Sequence, residues 1–326
     1  MKRNKCMGQK TGIRRKYYRF SEYLKGRFGT KVFKISVDAG FSCPNRDGRT
    51  GDGGCTYCDN RGFSLNSRKP SVPLAVQIND GMKFLKQRYG AEKYIIYFQA
   101  YTNTYGLPGV LKEKYDTIRD FDNIVGISIG TRPDCIDNGI LDVIEGYTGD
   151  YEVWIEYGVQ SVHDRSLKYI NRNHTYSDFL KALELTRKRP GIKVCAHVII
   201  GIPGESREDI LHTAGRLGGL GLDGIKIHPL HVIKGTVLED DFISGVYTPL
   251  EFDEYLELAA EFLEYLDPDT VIQRITADCS LEYLTAPLWI NEKNRFLSEL
   301  GSLMDDRGMY QGRCCDKERH EISRSL

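Results

Sequence analysis

Two rhythms of apolar positions alternate along the chain between Lys31 and Asp267. Short runs rich in β-branched and aromatic residues predict strands at Val32–Val37, Tyr94–Gln99, Ile124–Ile129, Val153–Gly158, Val194–Ile200 and Gly224–His228. Apolar residues three and four apart predict helices between them, over Leu74–Tyr89, Pro108–Arg119, Ile136–Tyr147, Ser177–Lys188 and Ser206–Leu217. A further helix over Leu250–Leu266 follows the sixth strand. Local signals mark several helix ends: Ser206 with Asp209 is close to a capping box, Ser177-Asp178 opens another helix, and Pro190-Gly191 stops it.

Six strand–helix units in succession imply a parallel sheet with right-handed crossovers. An open doubly wound sheet or a barrel would satisfy this pattern. Six units fall short of a full eight-unit barrel, so the expected fold is α/β, a partial (β/α)6 TIM-type barrel. The expected organisation is a basic N-terminal arm over residues 1–30, a core domain over 31–267 and a C-terminal extension over 268–326. The extension reads as one strand, Val271–Ile275, one helix, Asn291–Met304, and a polar tail. In such a fold the chemistry belongs at the carboxyl ends of the strands.

Charge adds an asymmetry. The chain is neutral overall, yet residues 1–31 hold eleven Lys or Arg, from Lys2 and Arg3 through Arg14, Arg15 and Lys16 to Lys31, against one acid, Glu22. Tyr17, Tyr18, Phe20 and Tyr23 interleave with them. Such an arm suits a nucleic-acid backbone, its rings offered for base stacking; a solvated terminus or an anionic membrane surface are the other readings. No apolar run approaches the roughly 20 residues of a membrane span. The basic start lacks the apolar stretch of a signal peptide, so a soluble, cytoplasmic protein is expected.

Nine cysteines, unevenly spaced, do not suggest a disulfide framework. Three of them stand out: Cys43, Cys55 and Cys58 form C-x11-C-x2-C in a glycine-dense loop after the first strand. Thiolates are soft ligands for iron and zinc, and three can hold three corners of an iron–sulfur cube while one metal position stays open. A structural zinc site wants four protein ligands, and the loop offers no fourth Cys or His. A zinc site and unligated thiols remain the alternatives.

Cys55-Thr56-Tyr57-Cys58 resembles the C-x-Φ-C half of the radical S-adenosylmethionine (SAM) motif. The long gap from Cys43, in CPNRDG…GGCTYC, is similar to the YhcC/YtqA-like branch of that superfamily, itself related to the catalytic subunit of Elongator. The likeness continues at Phe98–Tyr105 after the second strand, at Gly130–Asp134 after the third, through Trp154–Ser161 on the fourth, and at His197–Glu205 on the fifth.

The resemblance implies a [4Fe–4S] cluster on Cys43, Cys55 and Cys58. In the family its unique iron binds the amino and carboxylate groups of SAM, and an electron breaks a sulfur–carbon bond to give a 5′-deoxyadenosyl radical. By the same resemblance Tyr57 packs near the adenine, the turn Gln99–Asn103 meets the methionine amine, and Glu156 accepts bonds from the ribose hydroxyls or the methionyl end. Gly201, Pro203 and Gly204 let the backbone approach the adenine, and Arg132 pairs with a SAM carboxylate or a substrate anion. Glu156, the Gly201–Gly204 segment and Arg132 also have plainer readings, as a solvated carboxylate, a strand-to-helix turn and a surface ion pair.

His197 with Cys195, and Lys226 with His228, alternate along their strands and so share a face, lining the barrel or satisfied within its core. Asn171-Arg172-Asn173-His174 is a further substrate-contact candidate. Cys314-Cys315 reads as incidental, as a redox pair or as the start of an auxiliary metal site, and Cys6, Cys135 and Cys279 as ordinary thiols.

The Elongator relation implies tRNA as substrate, with modification or trimming of a wobble-uridine side chain such as carboxymethylaminomethyl. A reductase or a flavodoxin- or ferredoxin-type protein would supply electrons. The rivals are radical SAM chemistry on a small metabolite such as a porphyrin precursor, a non-catalytic RNA-binding protein with structural zinc, and an electron-transfer iron–sulfur protein.

Overall fold

The computed structural model describes residues 15–63 and 72–315. Lys2, Arg3, Arg14, Cys6 and the end of the polar tail lie outside the described residues. The strands are β1 (Val32–Val37), β2 (Lys93–Phe98), β3 (Ile124–Thr131), β4 (Glu152–Gln160), β5 (Ile192–Ile200), β6 (Gly224–Pro229), β7 (Val232–Ile233), β8 (Val271–Arg274) and β9 (Leu284–Ala286). The helices are α1 (Phe20–Phe28), α2 (Asn60–Phe63), α3 (Leu74–Tyr89), α4 (Pro108–Asp116), α5 (Asn138–Glu145), α6 (Asp164–Tyr169), α7 (Tyr176–Arg187), α8 (Arg207–Gly218), α9 (Val237–Ile243), α10 (Phe252–Tyr265) and α11 (Lys293–Asp306).

Seven strands form one parallel sheet in the order β1-β2-β3-β4-β5-β6-β8, curled into a half-barrel. The partial TIM-type barrel is therefore present, with one strand more than the six anticipated. That strand, β8, comes from the segment read as an appendage; it pairs with β6 at Gly224–Val271 and Ile225–Ile272. The separate ribbon β7–β9 is antiparallel.

Alternation along each strand sets the two faces. Ile35 and Val37, Ile96 and Phe98, Ile127 and Ile129, Val153 and Ile155, Val194 and Ala196, and Ile225 and Ile227 point outward into the main hydrophobic core shared with the helices. Burying this face against amphipathic helices supplies most of the driving force for the fold. At intervening positions stand Lys34, Tyr97, Ser128, Glu156, His197 and Lys226, one from each of the first six strands. The concave face is thus buried but polar at its centre. No described helix is long and apolar enough to cross a membrane.

Caps fix the helix starts close to expectation. Ser206 and Asp209 form a full capping box on α8. On α7 the capping residue is Thr175 rather than Ser177, because its hydroxyl accepts from the Asp178 amide while the Asp178 carboxylate takes the Thr175 amide.

The basic arm departs from expectation over its described part. Residues 20–28 form α1, which lies under the amino-terminal end of the sheet: Arg19 bridges Ile272 and Tyr23 donates to Glu152, the first residue of β4. Phe20 and Tyr23 pack edge-on against Trp154 at 5.8 and 5.7 Å, and Tyr17 is buried. These rings close the barrel floor and are not offered to bases. Aromatics next to a fully buried indole gain more from leaving water than from waiting for a ligand. The cations Arg19, Lys25, Arg27 and Lys31 stay exposed, at the opposite end of the sheet from the cavity described next.

Candidate active site

One cavity opens at the carboxyl ends of the strands, where parallel α/β sheets place their ligands. It encloses about 1250 Å³, including its open mouth, and is lined by Cys43, Cys55, Tyr57 and Cys58 on one side and by Lys226, His228, His231 and Arg274 on the other. Gln99, Arg132, Glu156, His197 and Ile199 line it between. Among the described residues no three His, Cys, Asp or Glu side chains gather tightly enough for a single metal ion.

The cysteine loop is held by residues far away in the chain. Asn45 donates to the carbonyl of Asn171 at 2.7 Å and approaches Cys55 Sγ at 3.6 Å. Arg172 donates to Cys55 Sγ at 3.5 Å and to the Gly158 carbonyl at 3.1 Å. Its reach depends on Gly158, where a Cβ would lie 2.4 Å from the guanidinium. Asn171 and Asn173, on either side, adopt left-handed φ of 50° and 52°, which asparagine tolerates better than most residues. Arg46 binds the Cys58 carbonyl and faces its thiol.

These surroundings fit an iron–sulfur cluster. Burial, and then the neighbouring Cys55, push the Cys58 thiol up to about 11, so it keeps its proton unless a metal replaces it. Burial opposes the Arg172 charge, but Cys55 and Tyr57 outweigh it and hold the guanidinium firmly protonated. Donors and cations around sulfur orient thiolate ligands and tune the potential of the metal they carry.

At the base of the cavity lining Glu156 is completely buried, with both carboxylate oxygens in use. Lys34 and Ser128 meet Oε1, while Lys226 and His197 meet Oε2, the imidazole at 2.8 Å. Burial disfavours the Glu156 charge, yet Lys226, Lys34 and His197 hold its carboxyl well below the usual range. Burial lowers His197 to about 4 and Lys226 to about 7; in both cases nearby cations add to burial and Glu156 opposes it. The neutral imidazole therefore donates from Nε2. One carboxylate between two lysines leaves the layer with excess positive charge.

The remaining candidates divide. Tyr57 and Gln99 line the cavity. Arg132 is buried rather than superficial and is heavily engaged: its guanidinium grips Asp134 at 2.9 and 2.7 Å and donates to the Arg172 and Asn173 carbonyls. Asn103 is a buried tie between the β2 and β3 loops, donating to the carbonyls of Ala100 and Gly130 at 3.0 and 2.9 Å. Gly201, Pro203 and Gly204 fall outside the cavity lining, and Ile199 takes that side instead. A Cβ at Gly201, with φ +95°, would press on Leu250 at 3.0 Å, whereas one at Gly204, with φ +80°, would meet open space. Cys195 sits in the floor with Trp154 and Val271.

Arg46, Asn45, Lys34 and Ser128 were not singled out in the sequence. Only the alternation that puts Lys34 and Ser128 opposite the core positions of their strands carried a signal for them. Arg172 falls within a segment read as substrate-facing and turns out to face sulfur.

Comparison with known proteins agrees with this layout. Residues 46–217 match the Radical SAM superfamily and residues 222–306 match the Radical_SAM C-terminal domain. YtqA of Bacillus subtilis (strain 168) is 37% identical over 92% of this chain and 92% of its own length. The tRNA uridine(34) acetyltransferase of Dehalococcoides mccartyi (strain CBDB1) is 33% identical over 50% of this chain and 36% of its own. Among solved structures, archaeal Methanocaldococcus infernus Elp3 with an N-terminal deletion superposes with a TM-score of 0.63 at 19% identity, over 87% of this chain and 65% of that one. Members of the matched superfamily use a [4Fe–4S] cluster and SAM. The chain belongs to the radical SAM superfamily, alongside YtqA and with a likeness in sequence and fold to the Elongator catalytic subunit.

Proposed function

We propose that this chain is a radical SAM enzyme acting on the side chain of a tRNA wobble uridine, modifying or trimming a group already present there. The observation that carries the catalytic reading is that Cys43, Cys55 and Cys58 share one cavity with Tyr57, Gln99 and a buried charged layer. In this reading the three thiolates hold the [4Fe–4S] cluster, which with SAM supplies hydrogen-atom abstraction from an unreactive C–H bond. Tyr57 stacks on the adenine and Gln99 meets the methionyl end. Glu156 keeps Lys34, Lys226 and His197 in position and does not itself bind ribose. Arg172 and Arg46 balance the charge of the sulfurs, and Arg132 fixes the 171–173 turn against them.

The tRNA part is supported by the likeness to the uridine(34) acetyltransferase over half of this chain. The described part of the basic arm does not support it, because α1 lies at the far end of the sheet. Electrons come from a reductase or a flavodoxin- or ferredoxin-type protein. Thiols kept for metal suit a reducing cytoplasm, where we place the protein.

The test is anaerobic reconstitution with iron and sulfide, addition of dithionite and SAM, and assay of 5′-deoxyadenosine. The expected result is product from the parent and none from Cys43→Ala, Cys55→Ala or Cys58→Ala. Incubation with total tRNA followed by nucleoside analysis should then show one altered wobble uridine. A parent that binds iron yet leaves SAM intact ends the catalytic reading, and turnover with every tRNA unchanged ends the tRNA reading alone.

A further inference from the structure

The side of the cavity away from the cysteines has a charge problem that the protein does not solve. Lys226 on β6 and Arg274 on β8 are register partners in the sheet, and both line the cavity. Lys226 is 5% exposed and shares its only carboxylate, Glu156, with Lys34. Both Glu156 oxygens are already doubly engaged, so this carboxylate has nothing left for Arg274. Arg274 itself makes no ion pair among the described residues. Asp278 is the other carboxylate on this wall; it is exposed and lies beyond ion-pair distance of Arg274.

Two imidazoles complete the wall. His228 lies 5.7 Å from His197, ring to ring, and His231 sits three residues further along, beyond the end of β6. Burial first, and then Arg274, keeps His228 well below its ordinary range; burial lowers His231 too. The neutral His228 imidazole can present an N–H without adding to the repulsion, whereas His231 spends its N–H at Nδ1 on the Pro229 carbonyl at 3.1 Å.

Of the two cations only Lys226 is buried, so its charge is the costly one to leave half-compensated, while the exposed Arg274 at the rim adds attraction for a counter-charge. Salt cannot easily screen charges inside a cleft, and Arg presents a fork suited to a planar anion. We propose that Lys226 and Arg274, with His228 beside them, form a subsite for an anionic group on the substrate, a carboxylate by preference, held across the cavity from the cysteines. This rests on the radical SAM reading of the cavity, and it names the substrate's chemical class: a substrate bearing a negative charge at the end remote from the reacting bond. Fixing that end lets the binding energy of a non-reacting group align the C–H bond that reacts.

The test uses the reconstituted holoenzyme loaded with SAM and kept unreduced, so that nothing turns over. Calorimetric titrations compare 5-carboxymethyluridine, its neutral amide 5-carbamoylmethyluridine, and acetate. A charge-assisted contact predicts about ten- to hundredfold tighter binding of the acid than of the amide. Lys226→Met and Arg274→Gln should each remove most of that preference, and acetate should compete with the acid. Arg274 is exposed, so its variant keeps the test alive if Lys226→Met fails to fold.

Equal binding of acid and amide, or a preference that survives both substitutions, overturns the proposal. So does weaker SAM binding in Arg274→Gln with no effect on the acid, since the cations would then serve SAM. Acetate binding that both variants abolish, with neither nucleoside bound, supports the anion subsite and removes uridine as its substrate. Absence of binding by all three ligands overturns it outright.

Discussion

Arg172 donates a hydrogen bond to the sulfur of Cys55 at 3.5 Å, across 117 positions of sequence. The contact couples the loop after β1 to the turn after α6, and it puts a full positive charge beside a sulfur that would carry metal. Removing that charge makes an added electron less welcome.

Arg172→Met should therefore lower the reduction potential of a reconstituted cluster and cost about ten- to hundredfold in activity, the usual scale for groups that orient metal ligands. A redox titration followed by electron paramagnetic resonance reads the shift. An unchanged potential would show that the contact does not act on the cluster.

Gly158→Ala should reproduce the Arg172 effect without touching Arg172. The added methyl would sit 2.4 Å from the guanidinium and 2.7 Å from the Gln160 amide, so the arginine must leave its place. The same redox titration and a 5′-deoxyadenosine assay should show the two variants moving together, and the double variant should add little. Full additivity would mean that Gly158 acts elsewhere.

Lys226 makes stability depend on pH in a specific window. Its folded value of about 7 lies below the ordinary lysine value of 10.5, so the unfolded chain binds more protons between these limits. Stability due to this group rises with pH from about 7 to about 10.5, by at most about 1.4 kcal/mol per unit, and its penalty is fully present below 7. Urea midpoints measured from pH 7 to 10 should climb less in Lys226→Met than in the parent. Parallel curves for the two proteins would place the Lys226 ammonium in a far more polar setting.

Trp154→Ala should destabilise the fold by about 3–5 kcal/mol, because the indole is fully buried where Phe20 and Tyr23 close the floor. Chemical denaturation measures it. Charge reversal at exposed Lys25, in contrast, should leave stability within about 0.5 kcal/mol. A small loss at Trp154 would mean that α1 is not a structural closure.

Much of this architecture is legible in the bare sequence. The six early strands and α3 follow from periodicity alone, because outward positions such as Ile96 and Ile127 must meet helices. The cysteine loop is legible because metal chemistry demands thiols at close spacing. What escapes notice has a common cause. Lys34, Ser128 and Arg46 are ordinary surface residues by type, and only three-dimensional closure brings them to Glu156 or the sulfurs. The aromatic arm misleads for the converse reason: rings beside cations suit nucleic acid and a hydrophobic floor equally well, until the position of Trp154 is known. Strand β8 is legible as a strand, but not its place in the barrel, because β7, α9 and α10 separate it from its partner β6, beyond the range of local pattern.

The floor of the barrel also sets the order in which the molecule can be built. Tyr18 is tied through its backbone to the side chain of Gln311, 293 positions away. The Arg19–Ile272 bridge spans nearly as much of the chain. Ring closures of that length are slow to form by chance encounter and can be completed only when the segment carrying Gln311 is present. A ribosome must pass residue 311 before the floor can seal. Until then the thiols of the early loop stand in an unfinished vessel, within reach of whatever delivers iron.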